Sequence, residues 1–256
     1  MKKPKIDTKR ILLIISFTLF IAIILTIIYP NQHKEKEVEV SIPTSNEMKN
    51  NVIIVEKESP EINSKTTDWN LILVNKDNPI PEDYILEVEN IEYSHKVDVR
   101  IKDATKQMLK AARNKGLKPY ICSSYRTGNT QKKLYNRKIN QYRRQGYTKE
   151  KAEIEASYWV TLPRTSEHEI GLALDIVSQN YQTLDKGQEN TAVQKWLMEN
   201  CHEYGFVLRY PTNKKEITKI NYEPWHYRYV GVENAKFMKE KDYCLEEFIE
   251  YLQKFE

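Results

Sequence analysis

Cysteine is scarce in this chain of 256 residues, with Cys122, Cys201 and Cys244 the only three. An odd set allows one internal disulfide at most, and Cys201 beside His202 lacks the second close pair that a thiolate metal site needs. Cys122 falls in an apolar run and reads as a small buried residue. Histidine is nearly as rare, at five. Three of these have no chemistry around them: His33 lies in a polar segment, and His95 and His202 read as surface or capping positions. The chain has no helical H-E-x-x-H, which excludes the zinc peptidases built on that motif, and no internal repeat. Its net charge of +4, from 40 basic and 36 acidic residues, is ordinary solvation. That argues against a nucleic-acid partner, though it favours contact with anionic polymers.

The two remaining histidines stand in different company. His168 and Asp175 share the segment S-E-H-E-I-G-L-A-L-D, Ser166 to Asp175, and His226 closes E-P-W-H, which begins at Glu223. Neutral imidazoles and a carboxylate suit Zn²⁺, and a catalytic zinc takes three protein ligands and keeps a fourth position open. Gly171 permits a tight turn before the apolar run Leu172 to Val177, which reads as a buried strand carrying Asp175 inward. Pro224 pushes Glu223 toward extended backbone, so Glu223 and His226 flank a bend and do not share a helix face. Any one of these residues alone is more often a structural hydrogen-bonding group than a ligand. Their combination, with Glu223 as a proton carrier, reads as a hydrolase. A non-haem iron oxygenase uses a similar ligand set, but the seven-residue spacing from His168 to Asp175 does not match its close H-x-D pattern, and Glu223 would be idle.

The order S-x-H-x-x-G-x-A-x-D, then W-L-x-x-N-x-x-x-Y-G-F-x-L-R-Y-P from Trp196 to Pro211, then E-P-W-H-Y-R-Y-V-G from Glu223 to Gly231, closely resembles the VanY-type D,D-carboxypeptidases. These are bacterial zinc peptidases that remove the terminal D-alanine of peptidoglycan stem peptides. They are related to the VanX dipeptidases and the L,D-carboxypeptidases. The resemblance starts near Trp69 and runs almost to the C-terminus. It implies one Zn²⁺ per chain on His168, Asp175 and His226, with Glu223 as general base. It also implies that S-S-Y-R, Ser123 to Arg126, handles the substrate with Gln131. There Arg126 stabilises the developing oxyanion or holds the substrate carboxylate, and Gln131 and Ser166 hydrogen-bond the C-terminal carboxylate. Ser124, Tyr125 and Trp225 fall among the substrate-contacting positions. The implied partners are stem peptides ending in D-Ala-D-Ala, with a contribution to glycopeptide (vancomycin-type) resistance. L,D-carboxypeptidase or D,D-dipeptidase specificity, and a non-catalytic wall-binding module, stand as alternatives.

Residues Ile11 to Tyr29 are almost unbroken apolar sequence, interrupted only by Ser16, Thr18 and Thr26, and approach the ~20 residues that cross a bilayer as a helix. Lys2, Lys3, Lys5, Lys9 and Arg10 precede the run, which places residues 1–10 in the cytoplasm and the remainder outside. Tyr29-Pro30-Asn31-Gln32 offers no small-residue cleavage site, so the run reads as a retained single-pass membrane anchor and not a signal peptide. Residues 30–67 are polar and read as a flexible extracytoplasmic stalk, with a short strand at Asn51 to Val55. Residues 68–256 read as one zinc peptidase domain. Helices are expected over Arg100–Lys115, Thr130–Gln145, Lys149–Tyr158, Ala192–Tyr204 and Leu245–Phe255, and strands over Leu117–Ser123, Leu172–Val177, Phe206–Tyr210 and Tyr227–Val230. That pattern predicts an α+β fold, a mostly antiparallel sheet packed by helices.

Overall fold

The computed structural model describes residues 61–256, so the apolar run 11–29, the strand expected at Asn51–Val55 and most of the 30–67 segment lie outside the described residues. Among the described residues no helix is long and apolar enough to cross a membrane.

The domain is a mixed α/β fold with two antiparallel sheets. A hairpin joins β1 (Val88–Glu92) to β2 (His95–Asp98), and a four-stranded sheet runs in the order β3-β4-β6-β5, from β3 (Pro119–Ser123), β4 (Ala173–Ser178), β5 (Phe206–Leu208) and β6 (His226–Tyr229). All three pairings of the larger sheet are antiparallel. β4 lies at its centre and is buried along its whole length. Because side chains alternate across a strand, Leu174, Ile176 and Tyr227 enter the main core with Ile121, Met108, Leu109 and Leu197, which leaves the other face of β4 and β6 for polar groups.

Helix α1 (Lys102–Asn114) covers the core face, entered through a tighter turn at Val99–Ile101 that Asp98 caps by accepting the Arg100 amide at 2.9 Å. Helix α2 (Gly128–Arg144) starts two residues before the expected Thr130, because the Thr127 hydroxyl accepts the Thr130 amide and fixes the first turn there. Helices α3 (Lys149–Ser157) and α4 (Ala192–Asn200) follow, each capped by a threonine. The expected Ala192–Tyr204 helix tightens after Asn200 into a 3₁₀ turn, Cys201–Tyr204, which ends at Gly205 with φ +81°. The hairpin and helix α5 (Val232–Lys241) are additions to the sequence reading. Helix α6 (Leu245–Gln253) packs with α5 in a second apolar cluster, which also takes Ile62. Upstream of Trp69, Thr66 is bound to the Glu256 carboxylate through its amide at 2.7 Å and its hydroxyl at 2.6 Å, so the folded domain reaches back into residues 61–67.

Candidate active site

Asp175 and His226 are direct cross-strand partners between β4 and β6, which puts both side chains on the polar face of the sheet. On the other side of β4, the register slips at Cys122, so Ser123 opposes Asp175 and Ile121 opposes Ile176. Cys122 is the extra residue of this bulge: half-buried, it donates its thiol to the Asp175 carbonyl at 3.4 Å, where the sequence suggested a fully buried strand residue. All three cysteines are free. The bulge turns the chain out of the sheet toward Ser124 and Arg126.

His168 arrives from the loop before β4. Gly171 makes this possible, with φ +69° and its backbone so close to Asp98 that an added Cβ would sit 2.7 Å from the Asp98 amide nitrogen. The Ser124 carbonyl accepts a hydrogen bond from His168 Nδ1 at 2.9 Å, and since a carbonyl can only accept, His168 Nε2 carries the free lone pair. That nitrogen lies 3.3 Å from Asp175 Oδ2, and Asp175 Oδ1 lies 3.1 Å from His226 Nδ1. The three ligand atoms fall within 4.8 Å of one another. His168 Nε2 and Asp175 Oδ1 are buried without any hydrogen-bond partner. Buried polar atoms are nearly always satisfied, so two orphaned atoms converging with a third donor fit a metal ion. Two imidazoles and one carboxylate are the donor set that zinc takes at catalytic sites.

Glu223 reaches within 3.7 Å of His226 Nδ1. The chain bends sharply between them, as Pro224 led us to expect: the Glu223 amide bonds the Tyr210 carbonyl at 3.1 Å, and the His226 amide bonds the Glu223 carbonyl at 3.2 Å. Burial pushes the Glu223 carboxyl up to about 8, with Asp175 adding to the effect and His226 and Arg126 opposing it. Burial also lowers His168, to about 4, helped by Arg126. At His226 burial works against the charge, but the Asp175 and Glu167 carboxylates beside the ring outweigh it and raise the imidazole to about 9. At Asp175 the two histidines overcome burial and hold the carboxylate ionised.

Glu167 is the residue that the sequence reading missed. Its carboxylate is fully enclosed, and Oε2 lies 3.3 Å from His226 Nε2, the ring nitrogen turned away from Asp175. Oε1 accepts from Arg209 Nε at 2.7 Å and Arg228 Nη1 at 2.8 Å. Arg209 closes the chain with a two-pronged pair to Glu246 on α6, at 2.8 and 2.7 Å. A signal was present: Arg228 is two residues from His226 on a strand, hence on the same face, and Glu167 is charged inside a segment that is otherwise buried.

The other expected residues divide into two groups. Arg126 and Ser166 line one cleft of about 290 Å³ with His168, Glu223 and His226, walled also by Trp159, Thr161, Tyr210 and Ile220. Arg126 Nε is buried and unpartnered at its edge, while the Arg126 amide donates to the His168 carbonyl at 3.2 Å. Ser124, Gln131, Tyr125 and Trp225 do not line the cleft. Gln131 stands behind its wall, donating to the Thr161 carbonyl at 2.6 Å. The Ser124 hydroxyl accepts the Lys96 amide at 3.2 Å and lies 3.1 Å from His95 Nδ1, so His95 is a supporting residue and not simply a surface one. The Tyr125 amide donates to the Lys96 carbonyl at 2.8 Å. Trp225 is buried, and its carbonyl accepts the Ile176 amide at 2.9 Å.

An open cleft over a two-histidine, one-carboxylate donor set, with a proton-holding glutamate alongside, defines a mononuclear metallohydrolase site. The chain belongs to the VanY family of D-alanyl-D-alanine carboxypeptidases, whose model matches residues 94–232. A D-alanyl-D-alanine carboxypeptidase of Enterococcus faecalis is 41% identical over 200 residues, 75% of this chain and 73% of that protein. Among solved structures, VanYB in complex with D-alanine-D-alanine is 42% identical with a TM-score of 0.67, covering 72% of this chain and 98% of that one. A mutant of the vancomycin resistance D,D-pentapeptidase VanY from a VanB-type resistance cassette, in complex with Zn(II), is 41% identical with a TM-score of 0.66, covering 71% of this chain and 99% of that one.

Proposed function

We propose that this carboxypeptidase is a membrane-anchored zinc D,D-enzyme that removes the terminal D-alanine of peptidoglycan stem pentapeptides. The observation that carries the reading is the convergence of His168, Asp175 and His226 beside Glu223, with two of the donor atoms otherwise orphaned. Zinc held there supplies Lewis-acid polarisation of the scissile carbonyl and brings the pKa of a water toward about 7.

This chain's own residues do the rest. Glu223, raised by burial, is poised near neutrality both to take the proton of the attacking water and to return it to the leaving amine. Arg126 presents a fixed guanidinium at the cleft edge for the developing oxyanion or the substrate carboxylate. Ser166 offers a hydroxyl to the same carboxylate, and Gln131, bonded to Thr161, holds the wall against which the peptide lies. Ser124 fixes the His168 tautomer through its carbonyl. The apolar run Ile11 to Tyr29, preceded by its lysines, anchors the enzyme with its domain on the wall side of the membrane, where stem peptides are found. Trimming D-Ala-D-Ala ends there contributes to glycopeptide resistance, the setting of the VanB-cassette relative.

The test is made on the zinc-loaded full chain in detergent, with pentapeptide, tetrapeptide and free D-Ala-D-Ala as substrates and products identified by mass. D-alanine released from the pentapeptide alone supports the reading. Cleavage of only the tetrapeptide or only the dipeptide replaces it with an L,D- or a dipeptidase specificity. In Glu223→Gln, zinc content should be unchanged while turnover falls by at least ~10²; near-normal release would remove Glu223 from its role.

A further inference from the structure

The chain ahead of the hairpin makes contacts that the chemistry above does not use. Trp69–Leu71 is a short 3₁₀ turn, and the match to the family model begins only at residue 94. Leu71 is buried in the second apolar cluster, whereas Ile72 and Val74 pack with the main core, so this strap crosses from one cluster to the other. Trp69 stacks on Tyr229 with ring centroids 5.9 Å apart and planes 20° from parallel, and the Arg100 guanidinium lies 4.0 Å from the centre of its ring. The Asn70 side-chain amide donates to the Val230 carbonyl.

The strap backbone also meets a buried charge. Arg228 is fully enclosed, and its Nη2 donates to the Asn70 carbonyl at 3.1 Å and to the Ile72 carbonyl at 2.9 Å. Its Nε donates to the Tyr229 carbonyl at 3.0 Å and its Nη1 to Glu167 Oε1 at 2.8 Å. A guanidinium is planar and holds its donors in a fixed fork. Two carbonyls on Nη2 and a third on Nε therefore set its plane, and the direction of Nη1 follows. Glu167 receives that donor and presents its other oxygen to His226 Nε2 at 3.3 Å. A continuous line of polar contacts thus runs from the strap backbone to the His226 imidazole.

We propose that residues 69–72 are a positioning strap for the metal site: the Asn70 and Ile72 carbonyls fix Arg228, Arg228 fixes Glu167, and Glu167 orients His226 toward the metal. Outer partners of a metal-binding imidazole set its ring orientation and its basicity. A slack strap would leave two buried N–H donors of Arg228 without acceptors, and the guanidinium would turn to recover them at the expense of its bond to Glu167. The inference rests on the reading of His226 as a zinc ligand. It makes the segment that leads into the domain from residue 61 a part of the site as well as of the tether.

The experiment measures zinc affinity by chelator competition, together with the melting temperature, on the full chain in detergent. Trp69→Ala removes the stacking on Tyr229 and Asn70→Ala the bond to Val230, and neither residue lines the cleft. Each should weaken zinc binding by about three- to tenfold, at or below the low end of the ~10- to 100-fold of a direct partner such as Glu167. Trp69→Phe keeps a ring on Tyr229 and should stay within about twofold of wild type. In a Glu167→Gln background Trp69→Ala and Asn70→Ala should change zinc affinity by less than about twofold, because the line is already cut. Val193→Ala, in the main core on α4, should lower the melting temperature and leave zinc affinity within about twofold. Unchanged zinc affinity in both strap variants, equal losses with and without Glu167, or as large a loss in Val193→Ala overturns the strap and leaves the carboxypeptidase reading intact. A wild-type chain that binds no zinc overturns the metal-site reading and the strap with it.

Discussion

A carboxylate buried between two guanidiniums loses its water on every side, and Glu167 is tolerated only because Arg209, Arg228 and His226 each return a hydrogen bond. Burial would raise its pKa, but the two arginines hold it well below the usual carboxylate range. Being ionised, it accepts a hydrogen bond from His226 Nε2–H and leaves Nδ1 to face Asp175. Partners of this kind are worth about 10- to 100-fold in metal affinity. Glu167→Gln should therefore weaken zinc binding by that factor in a chelator competition, and lower the melting temperature by leaving the two buried guanidiniums of Arg209 and Arg228 against a neutral amide. A lower melting temperature with unchanged zinc affinity would make Glu167 purely structural. The same imidazole sets a pH dependence. In the metal-free fold His226 is raised to about 9 from 6.5, so its stabilising proton is fully present below 6.5 and is lost as pH rises through 9. Zinc needs that nitrogen bare, whereas His168, lowered to about 4, is already neutral at pH 7. Zinc binding at pH 7 should release about one proton from the ligand set, read by calorimetry in buffers of different ionisation enthalpy, and affinity should climb with pH and flatten above about 9.

At the scale of elements, the site depends on two irregularities, the bulge at Cys122 and the turn at Gly171. Any side chain at residue 171 meets the Asp98 backbone, whose amide donates to the Gly171 carbonyl at 3.0 Å. Gly171→Ala should destabilise the domain by about 2 kcal/mol or more in denaturant melts, from the left-handed backbone and the clash together. It should also weaken zinc binding, because His168 moves with the turn. The glycine was visible in the sequence, since a turn residue between a ligand and an apolar run announces itself. The hairpin was not visible. Its turn places Tyr93 at φ +51°, where asparagine or glycine is the usual signal. Helix α5 was hidden for a related reason: its buried positions include Asn234 and Ala235 beside Phe237 and Met238, which makes a thin apolar stripe, and it stops at Asp242, at φ +52°, where a glycine would have marked the end.

For the whole molecule, the arrangement that we propose is a wall-side catalytic domain tethered by residues 11–29. The full chain should sediment with membranes, and protease added to intact wall-less cells should release an active fragment that begins within residues 30–60. An active soluble product that starts near Pro30 in untreated cells would mean cleavage instead of anchoring. The buried pair between Arg209 and Glu246 gives the release a further feature: α6 is joined to Glu167 and through it to His226, so a fragment truncated before Leu245 should lose activity in the same assay.

The sequence by itself singled out the residues that the fold brings together, His168, Asp175, His226 and Glu223, and most of the regular elements. Residue type, the glycine and proline between the ligands, and the periods of apolar residues are local properties of the chain, and Asp175 and His226 could be assigned from them without knowing their partners. Only the tertiary structure decided what stands around those residues. Glu167 is 42 residues from Arg209 and 61 from Arg228, and no local pattern reports that three buried charges will meet. Gln131 and Trp225 carry the right chemistry for a substrate contact, yet packing sets one behind Thr161 and buries the other at the start of β6, its carbonyl paired with β4. Strand register and burial are set by pairing across the fold, so they choose which polar side chains face the cleft and which only support it.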